Sequence, residues 1–160
     1  MRAPFALVLI AALTGCAAPP QVARVPFSEA EYAALPKAGT GTVTGQAFLT
    51  TRGGEVRVAA GREISLNPVT SYSRQWYQVQ YQGGRQLSAF DPRIINHIIT
   101  KVANAQGNFT FKNVPPGDYF ITTEVTWSVV VSGLVTTTGG VIAKPITVRD
   151  GQETEVILTR

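Results

Sequence analysis

This chain has one cysteine, one histidine and one methionine in 160 residues, and each shortage removes a class of chemistry. A lone Cys16 closes no disulfide within the chain, so stability must come from apolar burial and backbone pairing. A lone His97 leaves no room for the usual nucleophile–base pairs. Zinc sites usually take at least three His, Cys or carboxylate ligands, and Asp91 is the only acid near His97 in sequence. No metal or cofactor is expected, and His97 reads as a partly exposed histidine at a helix end. Charge is scarce too: 15% of residues, net +4, with no run of Lys or Arg. Nucleic-acid sites carry a clustered basic face, so no nucleic-acid partner is expected. No apolar run approaches the roughly 20 residues of a membrane span. Gly53-Gly54 and Gly139-Gly140 read as turns, and neither sits in a phosphate-loop pattern. The sequence reads as noncatalytic.

What is present starts at the N-terminus. Arg2 precedes Phe5–Leu13, a greasy segment of about nine residues, within the range of a secretory signal core. Leu13-Thr14-Gly15-Cys16 closes it and resembles the lipobox of bacterial lipoproteins. That resemblance implies that residues 1–15 are a signal peptide and that Cys16 becomes the lipidated first residue, partnered by membrane lipid and labelled by palmitate. Ala17, where an aspartate would retain the chain, suits outer-membrane sorting in a cell with two membranes. The implied address is the cell envelope, facing the periplasm or the extracellular side. The alternatives are an ordinary signal peptide with a bystander thiol, or a buried free cysteine.

Residues 16–40 read as a tether with one short helix. Residues 17–26 are small, polar or proline-containing, as in an extended leash. Ser28 and Glu31 stand at capping-box spacing, Phe27 and Tyr32 match a hydrophobic staple, and Pro36 cannot continue the helix. So short a helix is marginal alone and is expected to dock on the domain. Lys37 to Gly41 reads as a flexible hinge.

From Thr42 the pattern switches to period two. Strands are expected at Thr42–Leu49, at Glu63–Asn67 ended by Pro68, around Phe109 and Phe111, and from Asp118 onward. In the last, Tyr119, Ile121, Thr123, Val125, Trp127, Val129 and Val131 share one face. Ser132-Gly133 or Gly139-Gly140 turns the chain back, Asp150-Gly151 makes a tight turn, and Thr154–Thr159 closes the domain. Many short strands with regular turns indicate an all-β antiparallel sandwich over residues 41–160. Trp127–Val135 is β-prone and uncharged, and reads as a central strand feeding the core. An exposed strand there would instead be an edge open to another chain.

Gly41-Thr42-Val43-Thr44-Gly45 resembles the first-strand signature of the carboxypeptidase regulatory-like domain, a small transthyretin-like sandwich. Asn104 to Tyr119, with Gly107, Phe109, Phe111, Val114 and the Pro115-Pro116-Gly117 corner, is similar to that family's hairpin. Asn104 departs from it, since an acidic residue is common there. The resemblance implies a fold that carries many tasks. Two activities of similar sandwiches do not transfer. Hydrolases of 5-hydroxyisourate need several histidines. Isopeptide crosslinks need a first-strand Lys and a last-strand Asn, and Thr42–Leu49 and Glu153–Thr159 have neither.

Between about residues 70 and 98 an insertion interrupts the sandwich. Tyr72, Trp76 and Val79 fit a helical face ended by Gly83-Gly84; Tyr77, Val79 and Tyr81 alternate as a strand would. The helix is preferred because Ser71 and Ser73 precede it. Asp91-Pro92 reads as an N-cap with proline at the first helical position, and Ile98–Ala103 re-enters the sheet. Aromatic rings beside Gln and Arg suit a sugar or peptide surface, with Tyr72, Arg74, Trp76, Tyr77 and Tyr81 as the candidate ligand residues. The competing reading is that Tyr72, Trp76 and Ile94 plug the open end of the sandwich. The functional expectation is a noncatalytic envelope lipoprotein with a structural or binding role. Its alternatives are a carbohydrate- or peptide-binding module and a docking subunit of an envelope complex, and the partner expected is an envelope protein or polysaccharide.

Overall fold

Gly41–Thr50 forms β1, whose alternation puts Val43, Ala47 and Leu49 inside. The computed structural model describes residues 20–160; the signal segment, Cys16 and the start of the tether lie outside the described residues. β1 is the hub of the first sheet. It pairs antiparallel with β2 (Val56–Val58) and with β5 (Asn108–Val114), and parallel with β8 (Glu153–Leu158). The second sheet runs in the order β4 (Ile99–Val102), β3 (Glu63–Pro68), β6 (Gly117–Val131), β7 (Leu134–Val148), all antiparallel. The all-β sandwich is therefore present.

One expectation, a wholly antiparallel sandwich, is corrected, and one strand is new. The closing strand runs parallel to β1, which alternation along a strand cannot reveal. β2 is a short strand with no clear alternation.

The core is the inner-face set of both sheets. Val43, Ala47, Leu49, Phe109, Phe111, Val156 and Leu158 meet Ile64, Leu66, Tyr119, Ile121, Val125, Ile142 and Val148. Each large side chain so buried contributes roughly 1.5–3 kcal/mol. Gly45 is required by close approach: a Cβ there would lie 1.9 Å from the Val156 carbonyl oxygen of β8. After the Pro115-Pro116-Gly117 corner, Tyr119 turns inward and donates its hydroxyl to the Pro115 carbonyl at 2.9 Å.

Gly139-Gly140 is not a turn. Both residues lie inside β7, opposite Thr126 and Val125. A Cβ on Gly139 would meet the Val125 carbonyl oxygen at 2.1 Å, and its φ of +104° excludes ordinary side chains. The reversal is made by Ser132-Gly133, with φ of 51° and 79°, the positive pair of a two-residue hairpin turn. Beyond Trp127 the β6–β7 ribbon leaves the sandwich, and Val130, Val131, Leu134 and Val135 are exposed. The reading of Trp127–Val135 as a core strand holds for Trp127, which packs against the core, and fails from Val130 onward, where β6 and β7 pair only with each other and stand exposed.

α1 (Glu29–Ala33) docks as expected, with Phe27 stacked on Tyr32 at 4.7 Å. Only half of the capping box forms. Ser28 accepts from the Glu31 N–H, but the Glu31 carboxylate accepts from the N–H and hydroxyl of Ser71, at 2.7 and 2.6 Å. It thereby ties α1 to the start of the insertion.

The leash reading fails from Val22 onward. Val22 bridges Leu87 in parallel, and the Gln75 side-chain amide clamps Val25 N–H and Ala23 carbonyl at 2.8 and 2.9 Å. The hinge is latched as well. Lys37 donates to the Tyr32 carbonyl, and Thr40 N–H donates to Asp150 at 2.8 Å.

Candidate functional site

The insertion begins with α2 (Ser71–Gln75) and tightens no further into an α-helix; Trp76–Gln82 is wound as a π-helix capped by Gly83. Thr70 caps α2 reciprocally. Its hydroxyl accepts from Ser73 N–H, and its N–H donates to the Ser73 hydroxyl at 2.9 Å. The wide winding brings residues five apart together. Trp76 accordingly stacks near Tyr81, with ring centroids 5.9 Å apart. Pro92–His97 follows as a 3₁₀ turn. Asp91 caps it by accepting from Arg93 N–H, and Ile94 is buried beneath.

These pieces, with α1, make a second apolar cluster of Tyr32, Tyr72 and Ile94, supported by Val25, Phe27, Leu35 and Ile98. Buried polar groups in it are satisfied. Thr70 donates to the Tyr32 hydroxyl at 2.9 Å, and the Tyr72 hydroxyl accepts from Asp91 N–H at 2.6 Å. Burial pushes the Tyr32 hydroxyl above the usual tyrosine range. Hydrogen bonds from the Arg93 side chain and N–H hold the Asp91 carboxyl down at about 2. His97 rests on Tyr32 at 4.5 Å between centroids, and no cluster of three metal-binding side chains exists among the described residues.

Against this plug opens a cleft of about 360 Å³. Its floor is the outer face of the second sheet, with Ser65, Asn67 and Thr122. Trp76 and Gln80 of the π-helical turn, Phe90 and Ile95 around the 3₁₀ turn, and Arg24 of the N-terminal strap line the rest. Arg24 is fixed there by donating to the Ser88 carbonyl at 2.6 Å, and it lies over the Tyr72 ring. Asn67 Oδ1 is buried without a hydrogen-bond partner. Phe90 and Ile95 are large apolar side chains left more than half exposed. An apolar cleft with a few fixed polar groups is the common form of a small-ligand site.

The five sequence candidates separate. Trp76 forms a wall, and Tyr72 is buried in the plug with one side lining the cleft. Tyr77 does not line it: its ring is stacked flat on Phe120 at 4.4 Å, anchoring the π-helical turn to β6. Tyr81 stands behind Trp76 and Tyr77, 5.9 and 5.4 Å from their centroids. Arg74 is exposed and belongs to a neighbouring groove beside Asp118, Phe120 and Pro145. Sequence reasoning missed Arg24, Asn67, Gln80 and Ile95, and it counted Phe90 among the insertion's aromatics without making it a candidate. Arg24 was hidden in an apparent leash and Asn67 in an ordinary strand; Phe90, next to the Asp91-Pro92 cap, carried the one available signal.

Among solved structures, the chain is similar to one from Pseudomonas aeruginosa described as a "putative carbohydrate binding protein". The two share 31% sequence identity with a TM-score of 0.76, over 86% of this chain and 99% of that one. No family model and no curated protein matches the chain.

Proposed function

This chain belongs to the family of that Pseudomonas aeruginosa protein, and from that premise we propose that it is a noncatalytic carbohydrate-binding protein of the cell envelope. The observation that carries the reading is a cleft lined by both the Trp76 indole and the partnerless Asn67 Oδ1. A sugar ring offers a flat apolar face to an indole and hydroxyl donors to an amide oxygen. Gln80 and Arg24 add donors to the lining. Tyr72 and Tyr81 support the wall, and Tyr77 fixes it to the sheet.

The fold reading extends the same proposal. The close approach at Gly45, the left-handed Gly107 and the Tyr119 corner support a carboxypeptidase regulatory-like sandwich. The lipobox-like Leu13–Cys16 supports lipidation at Cys16. From Cys16 to the docked Val22 the chain spans at most about 22 Å, at ~3.3–3.6 Å per residue. A lipidated Cys16 therefore holds the cleft near the membrane surface rather than on a long leash.

The test is a glycan array followed by calorimetry on the full chain. Trp76→Ala is expected to weaken the captured glycan about tenfold or more, since losing a buried ring removes roughly 1.5–3 kcal/mol. Absence of glycan capture, or capture unchanged by Trp76→Ala, contradicts the reading. Cys16→Ala is expected to abolish palmitate labelling and release the protein from membranes; unchanged labelling overturns the lipidation.

A further inference from the structure

We propose that the protruding β6–β7 hairpin is a membrane finger that inserts its tip into an anionic lipid surface, independently of any lipid on Cys16 and of the sugar cleft. No charged residue occurs from Val125 to Ala143. The last two rungs of the ribbon pair Val130 with Val135 and Val131 with Leu134. All four are exposed, at 71%, 75%, 55% and 72%. Neighbouring rungs of a ribbon face opposite ways, so the tip is apolar on both sides. A one-sided patch suits a groove or a partner sheet. A two-sided apolar finger suits a medium that surrounds it.

The base of the finger carries the charge that such a medium requires. Arg62 donates to the Thr126 carbonyl and hydroxyl at 3.2 and 3.1 Å. Arg160 donates to the Gly139 carbonyl at 3.2 Å, and Thr126 and Gly139 face each other on one rung. Arg57 lies over the Trp127 ring, one rung further out, 6.0 Å from its centroid. Three arginines thus collar two adjacent rungs of the ribbon. Glu55 pairs with Arg57, and Glu124 lies toward the body, while no ion pair forms to Arg62 or Arg160 among the described residues. Between collar and tip stand Ser128 opposite Thr137 and Val129 opposite Thr136, with Trp127 and Thr138 on the collar's outer rung: mostly hydroxyls with one indole, suited to the headgroup layer. Five rungs separate collar from tip, about 17 Å at ~3.3 Å per residue. With the arginines at the phosphates, that length carries the tip past the headgroup layer, about 5–8 Å thick on each side, and into the acyl chains.

The experiment uses the full chain with Cys16→Ser, so that a reporter thiol is unique. An environment-sensitive fluorophore is placed at Leu134→Cys or, at the opposite end of the domain, at exposed Lys112→Cys. Vesicles of phosphatidylethanolamine and phosphatidylglycerol carry a quencher on the acyl chain. The reporter at position 134 is expected to shift to the blue and to be quenched several-fold more than that at 112. Val130→Asp with Val135→Asp is expected to abolish the difference. Arg62→Ala with Arg160→Ala is expected to weaken it and remove its preference for phosphatidylglycerol over phosphatidylcholine. A reporter at 134 that stays aqueous overturns the finger. A shift in the absence of vesicles that grows with protein concentration also overturns it, because a second copy then covers the tip. Retained preference without the two arginines overturns the collar. None of these readouts depends on glycan binding.

Discussion

Asn67 holds a buried oxygen without a partner, an arrangement that ordinarily costs about 1–3 kcal/mol. If the cleft uses that oxygen for ligand, stability and binding oppose each other at this position. Asn67→Leu, of similar volume, is expected to raise the melting temperature while lowering glycan affinity about tenfold; scanning calorimetry and titration read the two effects separately. Gly45 tests the core in the opposite sense. Gly45→Ala drives a Cβ against the Val156 carbonyl and is expected to cost about 1–3 kcal/mol, the usual range for overpacking, read as a lower denaturant midpoint. At this scale the sequence was partly legible. The Phe109/Phe111 pair announced its role through alternation, whereas the glycines of the GTVTG signature stood out only as a family resemblance and the close approach at Gly45 came from the structure. Asn67 did not, because an asparagine in a strand looks alike whether its amide faces water or a cleft floor.

Elements were more legible than their winding. The aromatics of 72–82 fitted both a 3.6-residue and a two-residue period, and the structure adopts neither throughout. A π-helical turn puts Trp76 beside Tyr81, five residues on, and so reconciles the two patterns. The strap at Val22–Val25 was hidden for another reason: its partners are Gln75, Leu87 and Ser88, far along the chain. Gln75→Ala is expected to speed hydrogen exchange at Val25 markedly and to leave the core strands protected, because it removes the clamp without touching the sandwich.

The 3₁₀ turn gives a pH signature. Arg93 and the backbone hold Asp91 at about 2, below its ordinary 3.8, so its folded pKa is depressed. Its stabilising contribution is complete above about pH 4 and is lost as pH falls toward 2. Tyr32 has the opposite sign: burial raises its folded value, so its contribution is full below pH ~10 and declines as pH rises beyond. Acid and alkaline unfolding curves of Asp91→Asn and Tyr32→Phe are expected to lose these respective components.

For the whole molecule, alternation and turn spacing sufficed to expect two sheets without a disulfide. They could not say where the sandwich stops. Trp127–Val135 continues the β pattern without a break, and only its pairing and exposure in the structure show it leaving the body from Val130 onward. Parallel pairing of β8 with β1 was equally invisible, since it depends on where the chain returns rather than on any residue within the strand. The resulting molecule has a cleft of about 360 Å³ on one outer face, walled by an insertion that α1 and the N-terminal strap hold down. Its apolar ribbon extends from the same sheet.

The most direct test of this account is amide and indole chemical-shift mapping of the full chain titrated with the glycan that the array selects. Saturating shifts at the Trp76 indole, Asn67, Gln80 and Phe90, with Val130–Val135 unmoved, are the expected result. Shifts confined to other surfaces, or none at ligand saturation, contradict a carbohydrate site in this cleft.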